Sequence, residues 1–100
     1  MKYLVVDAFL SGTGVRDYYN SGYIEPESLH LSDATIDKLK DWLSRYASEF
    51  YSGYKNDEVV NELDREGKEI AFLIKNELVN VKIDYCSDAR MKVERLSLKS

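Results

Sequence analysis

Two helix-period stripes, set almost end to end across residues 32–78, constrain this chain more than any other feature. In the first, Ile36, Leu39, Leu43, Tyr46, Ala47 and Phe50 follow helical spacing, and Trp42 flanks them. Ser32 stands at the N-cap position, Asp33 lies in the first turn where its charge suits the helix dipole, and Gly53 supplies a stop. In the second, Val60, Leu63, Gly67, Ile70, Ala71, Ile74 and Leu78 trace one face. Asn56 or Asp57 can cap it, with Glu58 in the first turn. A glycine inside a helix costs about 1 kcal/mol against alanine. Its place within the apolar stripe predicts that Gly67 packs closely against another element.

Two helices with one apolar face each need a layer to cover them, and the flanking segments supply strands. Residues 3–10 (YLVVDAFL) are rich in β-formers and apolar on both faces, which predicts a central strand. Residues 79–86 (VNVKIDYC) alternate, with Val79, Val81, Ile83 and Tyr85 on one face and Asn80, Lys82, Asp84 and Cys86 on the other. That pattern predicts a half-buried strand. Residues 87–90 read as a turn, and residues 91–98 as a weaker last strand or a frayed tail. Residues 11–31, with Gly12, Gly14, Gly22 and Pro26, read as a long loop; Val15 to Tyr19 fits a second strand equally well. The expected fold is one α+β domain over residues 1–100. A small sheet of two to four strands carries two helices on one face, in the order β-(loop/β)-α-α-β-(β).

Charge narrows the function classes. The formal net charge is -4, which argues against nucleic acid as the main ligand, because phosphate binding needs a basic surface. It suits a basic protein partner. Acids concentrate in residues 53–78, seven against four bases, whereas residues 79–100 hold five bases against three acids. The single cysteine excludes an intrachain disulfide. The apolar run at Tyr3-Leu4-Val5-Val6 is too short for a membrane span, and no signal-peptide cleavage region follows it. Those features point to the cytoplasm.

No catalytic or cofactor site emerges. A nucleophile needs a neighbouring base, and nothing joins the one histidine, His30, to Cys86. One histidine and one cysteine far apart do not make a zinc site, and the acids of the second helix do not follow a calcium-loop pattern, so no metal is expected. Ser11-Gly12-Thr13-Gly14 follows a strand but lacks the lysine of a P-loop, and Asp17 holds the place of the third glycine of a dinucleotide fingerprint. A plain turn is the preferred reading there. The carboxylates read as solvated-face residues, with no acid–base pair among them.

Two features fit macromolecular binding. Tyr18, Tyr19 and Tyr23 lie in the long loop, and tyrosine gives large contact area at low entropic cost. The bland alternative is that they roof the core. Asp57, Glu58, Glu62, Asp64, Glu66 and Glu69 form an acidic run suited to steering a basic partner; an ordinary exposed helix face offset by Arg65 and Lys68 is the alternative.

The stretches Gly14-Val15-Arg16-Asp17, Gly22-Tyr23-Ile24-Glu25-Pro26-Glu27 and Leu29-His30-Leu31-Ser32, then Leu39, Trp42 and Tyr46, then Glu66-Gly67-Lys68-Glu69-Ile70-Ala71 with Leu73 and Asn76-Glu77-Leu78, resemble a group of small acidic bacterial proteins. Some of these look like immunity proteins of polymorphic and contact-dependent growth inhibition toxin systems. The resemblance covers roughly residues 14–85, and its motifs are mostly structural: a cap, a core stripe and a packing glycine. It implies a non-enzymatic protein that binds the C-terminal domain of a cognate toxin, often a basic nuclease, and blocks it sterically. Two other classes stay open: a small regulatory or adaptor protein, including a homodimer through an exposed strand edge, and a small enzyme using the glycine loop.

Overall fold

The computed structural model describes residues 2–10, 12–20, 22–78 and 80–94. Chain order is β1 (Lys2–Asp7), β2 (Val15–Asp17), a 3-10 turn (Pro26–Leu29), α1 (Asp33–Tyr51), α2 (Asp57–Glu77), β3 (Val81–Ser87) and β4 (Lys92–Glu94). The strands form one mixed sheet in the order β2-β1-β3-β4. β1 is parallel to β3, and the two outer pairs are antiparallel. A parallel pair needs a long crossover, and the α1–α2 hairpin provides it. The architecture is therefore α+β, with both helices packed on the sheet.

Helix limits follow local chemistry. The Ser32 side chain accepts from Thr35 N at 3.2 Å. Asn56 rather than Asp57 caps α2, accepting from the backbone N–H groups of Glu58 and Val59. Gly53, at φ +79°, turns the chain after α1. Glu77 at the end of α2 reaches back to the start of α1. Its carboxylate accepts from Ser32 N at 2.6 Å, from Ser32 Oγ at 3.0 Å and from the Thr35 hydroxyl. These bonds hold the Glu77 carboxyl below the usual carboxylate range, chiefly through Thr35.

Strand alternation sorts the sheet into two faces. Leu4, Val6, Ile83 and Tyr85 point toward the helices and meet Leu39, Trp42, Tyr46, Leu63, Ile70, Ala71 and Ile74. Trp42, read from the sequence as a flank of the stripe, is fully buried at its centre, whereas Phe50 at the stripe's end is 43% exposed. The Trp42 indole Nε1 donates to the Leu63 carbonyl at 2.8 Å. One turn further along α2, a Cβ at Gly67 would stand 2.7 Å from Trp42 Cζ2 and would also collide with the Tyr85 ring. The missing side chain lets two aromatic rings lie against the α2 backbone.

Three expectations change. The first strand ends at Asp7 rather than residue 10, because the Asp7 carboxylate accepts from Phe9 N at 3.2 Å and turns the chain; Phe9 and Leu10 are exposed. The open alternative at Val15–Tyr19 resolves as β2, paired Val6↔Val15. The carboxylates are not all solvated: Asp7, Asp64 and Asp84 are 5%, 7% and 0% exposed. Each is satisfied by hydroxyl or guanidinium donors, as burial of a charge requires. The last strand occupies Lys92–Glu94, and residues 95–98 lie outside the described residues, as does Val79.

Candidate protein-binding surface

The tip of the β2 hairpin is where the exposed tyrosines gather. The Asp17 carboxylate accepts from Tyr19 N at 2.8 Å and from Asn20 N at 3.3 Å, which fixes a side-chain-stabilised turn. Asp17 N donates to Gly22 O and Tyr18 N donates to Tyr3 O, both at 2.8 Å, so the turn is tied on both sides. The Leu4↔Asp17 register then delivers Tyr18 beside Tyr3. Their rings stack at 4.1 Å between centroids with a 15° interplanar angle. Tyr19 stands edge-on to both, at 5.9 Å from Tyr3 and 5.5 Å from Tyr18. The edge-on contacts of Tyr19 suit the ring quadrupole, and together with the stack they hold the three side chains in place. Tyr18 is 42% and Tyr19 71% exposed.

Tyr3 carries no mark in the sequence beyond its strand position. It alternates with Leu4, so it lies on the sheet face turned away from the helices, where its hydroxyl donates to Asp84. Tyr23 does not join this cluster of rings. It bridges to Arg16, donates its hydroxyl to Asp7 Oδ1 at 2.7 Å and stacks on Phe9. Burial, then the Asp7 carboxylate, pushes its phenol well above the ordinary value. Tyr23 is half-buried and holds the loop to the sheet edge through Asp7 and Phe9, without packing on the core.

The acidic residues lie on the other layer. Asp57, Glu58, Glu62 and Glu69 are exposed on α2, and Glu66 is half-exposed and paired with Arg45. Glu62 pairs with Arg65 at 3.2 Å. Glu58 and Glu62 line a cleft of about 840 Å³ between α1 and α2, together with Glu49 and Arg45. Asp64 departs from the expected acidic face. Its carboxylate turns into the protein and accepts from Tyr46 (2.8 Å), Tyr85 (2.6 Å) and Ser87 (2.8 Å) hydroxyls. Tyr46 Oη in turn accepts from Ala89 N at 3.1 Å. Burial is the main cause that pushes the Tyr46 phenol up to about 12. Asp64 organises the core and offers no free charge to a partner. Tyr18 and Tyr19 on the β2 hairpin and the exposed acids of α2 thus form two separate surfaces, the first on the side of the sheet turned away from the helices, where Val5 and Asp84 are themselves buried, and the second on the helical layer.

The glycine loop joins two antiparallel strands instead of leading into a helix, with Thr13 Oγ1 donating to Ile24 O at 2.6 Å. His30 is exposed beyond the 3-10 turn at φ 60°, while Cys86 is half-buried on β3. Burial first, and the Asp7 charge second, push the Cys86 thiol up, the reverse of an activated nucleophile. Among the described residues, no group of three or more His, Cys, Asp or Glu side chains is placed to hold a metal ion. Among the same residues, no helix is long and apolar enough to cross a membrane.

The fold and this surface define a small two-layer α+β protein with an exposed, pre-positioned aromatic cluster. No family model, no curated protein and no solved structure matches the chain.

Proposed function

We propose that this chain is a non-catalytic protein-binding module, and specifically an immunity protein that neutralises the toxic domain of a cognate bacterial toxin in the cytoplasm. The observation that carries the binding reading is the Tyr3–Tyr18–Tyr19 cluster: rings held by stacking and by the Asp17 turn, with Tyr3 half-buried beneath the exposed Tyr18 (42%) and Tyr19 (71%). Rigid exposed aromatics are the residue type from which binding hot spots are built. The immunity reading rests on the sequence resemblance over residues 14–85 and on the acidic charge of the helical layer, which suits a basic toxin. Inhibition is steric, by covering the toxin's active site or substrate path.

The two surfaces have separable kinetic signatures. Converting Glu58 and Glu62 to lysine slows association and flattens its salt dependence, because screening acts on long-range charge. Tyr19→Ala leaves association nearly unchanged and speeds dissociation by about 2 kcal/mol, roughly thirtyfold. The test is co-expression and co-purification with the toxin domain encoded next to this gene, followed by surface kinetics at two salt concentrations. Failure to co-purify with that domain, or to protect cells from it, removes the immunity reading. Wild-type dissociation from Tyr19→Ala removes the aromatic cluster as the anchor.

A further inference from the structure

The two edges of the sheet are treated differently by the chain. At the β2 edge, the segment that follows folds back: Ile24 N donates to Val15 O at 2.9 Å and Asp17 N to Gly22 O at 2.8 Å. That edge has its backbone groups satisfied internally. At the other edge, β4 pairs with β3 alone among the described residues. An open edge is a template for another strand. Here it also carries exposed apolar side chains, Met91 at 87% and Val93 at 52%.

We infer that β4 is a self-association edge, pairing antiparallel with β4 of a second copy about a two-fold axis at Val93. The charge pattern chooses both partner and register. Lys92 and Glu94 share the helix-side face, because they sit opposite Ser87 and Tyr85 of β3. A two-fold at Val93 places Lys92 opposite Glu94 of the second copy, twice, and Val93 opposite its own counterpart. Opposite charges directly across a ladder stabilise it and like charges destabilise it. Moving the axis by one residue along the strand puts Lys92 opposite Lys92 or Glu94 opposite Glu94. The Val93 register is therefore the one that this short strand favours, and pairing in the neighbouring registers is repelled. On the helix side the groove beside Lys92 and Glu94 is mainly charged, with Phe72, 41% exposed, as its exposed apolar side chain; Glu94 there also holds Lys68 of its own chain at 2.7 Å, one carboxylate serving both cations in the paired form. The product is an eight-stranded sheet with both helical layers on one side, which leaves the Tyr18–Tyr19 hairpins at the two far edges uncovered.

Charge reversal tests this without reference to any toxin. Wild-type protein at about 0.1 mM, where association is governed by mass action, should show twice the chain mass of 11.6 kDa in light scattering after size exclusion. Lys92→Glu alone places Glu opposite Glu, and Glu94→Lys alone places Lys opposite Lys; each should run at the single-chain mass. Mixing the two variants restores opposite charges at both positions, and the mixture should return to twice that mass. Circular dichroism of each variant checks that the fold is retained. A single-chain mass for wild type, single variants that stay paired, or a folded mixture that stays unpaired each overturns the inference.

Discussion

Gly67→Ala sets two physical effects against each other, and the structure decides the sign. On an isolated helix, alanine would gain about 1 kcal/mol over glycine. In this protein the new Cβ meets Trp42 at 2.7 Å and the Tyr85 ring at still shorter range. Neither ring has room to withdraw. Trp42 is 0% and Tyr85 1% exposed, and their polar ends are bonded to the Leu63 carbonyl and the Asp64 carboxylate. Overpacking a rigid site costs about 1–3 kcal/mol, and distorting the indole bond adds roughly 1 kcal/mol more. Destabilisation wins by about 1–3 kcal/mol after the helix gain is subtracted. For a small domain that lowers the urea midpoint by about 1 M. Gly67→Leu falls further. Trp42 is the single tryptophan, so its emission reports unfolding from the perturbed contact itself. A midpoint equal to or above wild type would show that α2 does not approach the Trp42 and Tyr85 rings, and the helix-on-sheet packing described here would be wrong.

Asp64→Ala strands the buried Tyr46, Tyr85 and Ser87 hydroxyls and should cost about 3–5 kcal/mol in a denaturant titration. Glu62→Ala on the exposed face should stay within about 0.5 kcal/mol, and equal effects would contradict the burial of Asp64. Tyr23, Tyr46, Tyr54 and Tyr85 all have phenols raised above the ordinary value near 10, mainly by burial. The unfolded chain therefore loses those protons first as pH rises. Stability should be full below about pH 10 and fall above it, with tyrosinate absorbance and Trp42 emission changing together. Tyrosines that all titrate at the ordinary value in a still-folded chain would refute that coupling. Glu77→Ala should lower the melting temperature at about pH 7 by releasing the start of α1. Because the native carboxyl is depressed, that contribution is present above the ordinary carboxylate value and lost as pH falls through the native one. The wild-type–variant difference should shrink toward about pH 3, and a constant difference would mean that Glu77 acts through packing.

What the sequence by itself determined is what depends on near neighbours. Caps at Ser32 and Asn56, the stop at Gly53 and the α2 face from Val60 to Ile74 are set within one or two turns of chain, so spacing and side-chain chemistry suffice to read them. Gly67 was legible for the same reason, since a glycine in an apolar stripe is out of place unless something lies against it. The candidate surface was legible only in part: exposure at Tyr18 and Tyr19 matches the loop reading, while Tyr3 becomes part of the surface only through the Leu4↔Asp17 register. Tertiary structure alone decided the parallel β1–β3 pairing and which donors meet the buried acids. Asp64 falls on the apolar stripe itself, four residues after Val60 and three before Gly67, so spacing turns it inward without showing what meets its charge there. It is buried because Tyr46, Tyr85 and Ser87, 18 to 23 residues away, converge on it. Asp84 alternates onto the same face as Lys82, yet it is buried there, where the hydroxyl of Tyr3, 81 residues earlier, donates to it. A carboxylate goes inside only where donors meet it, and donors from distant segments leave no periodic trace in the chain.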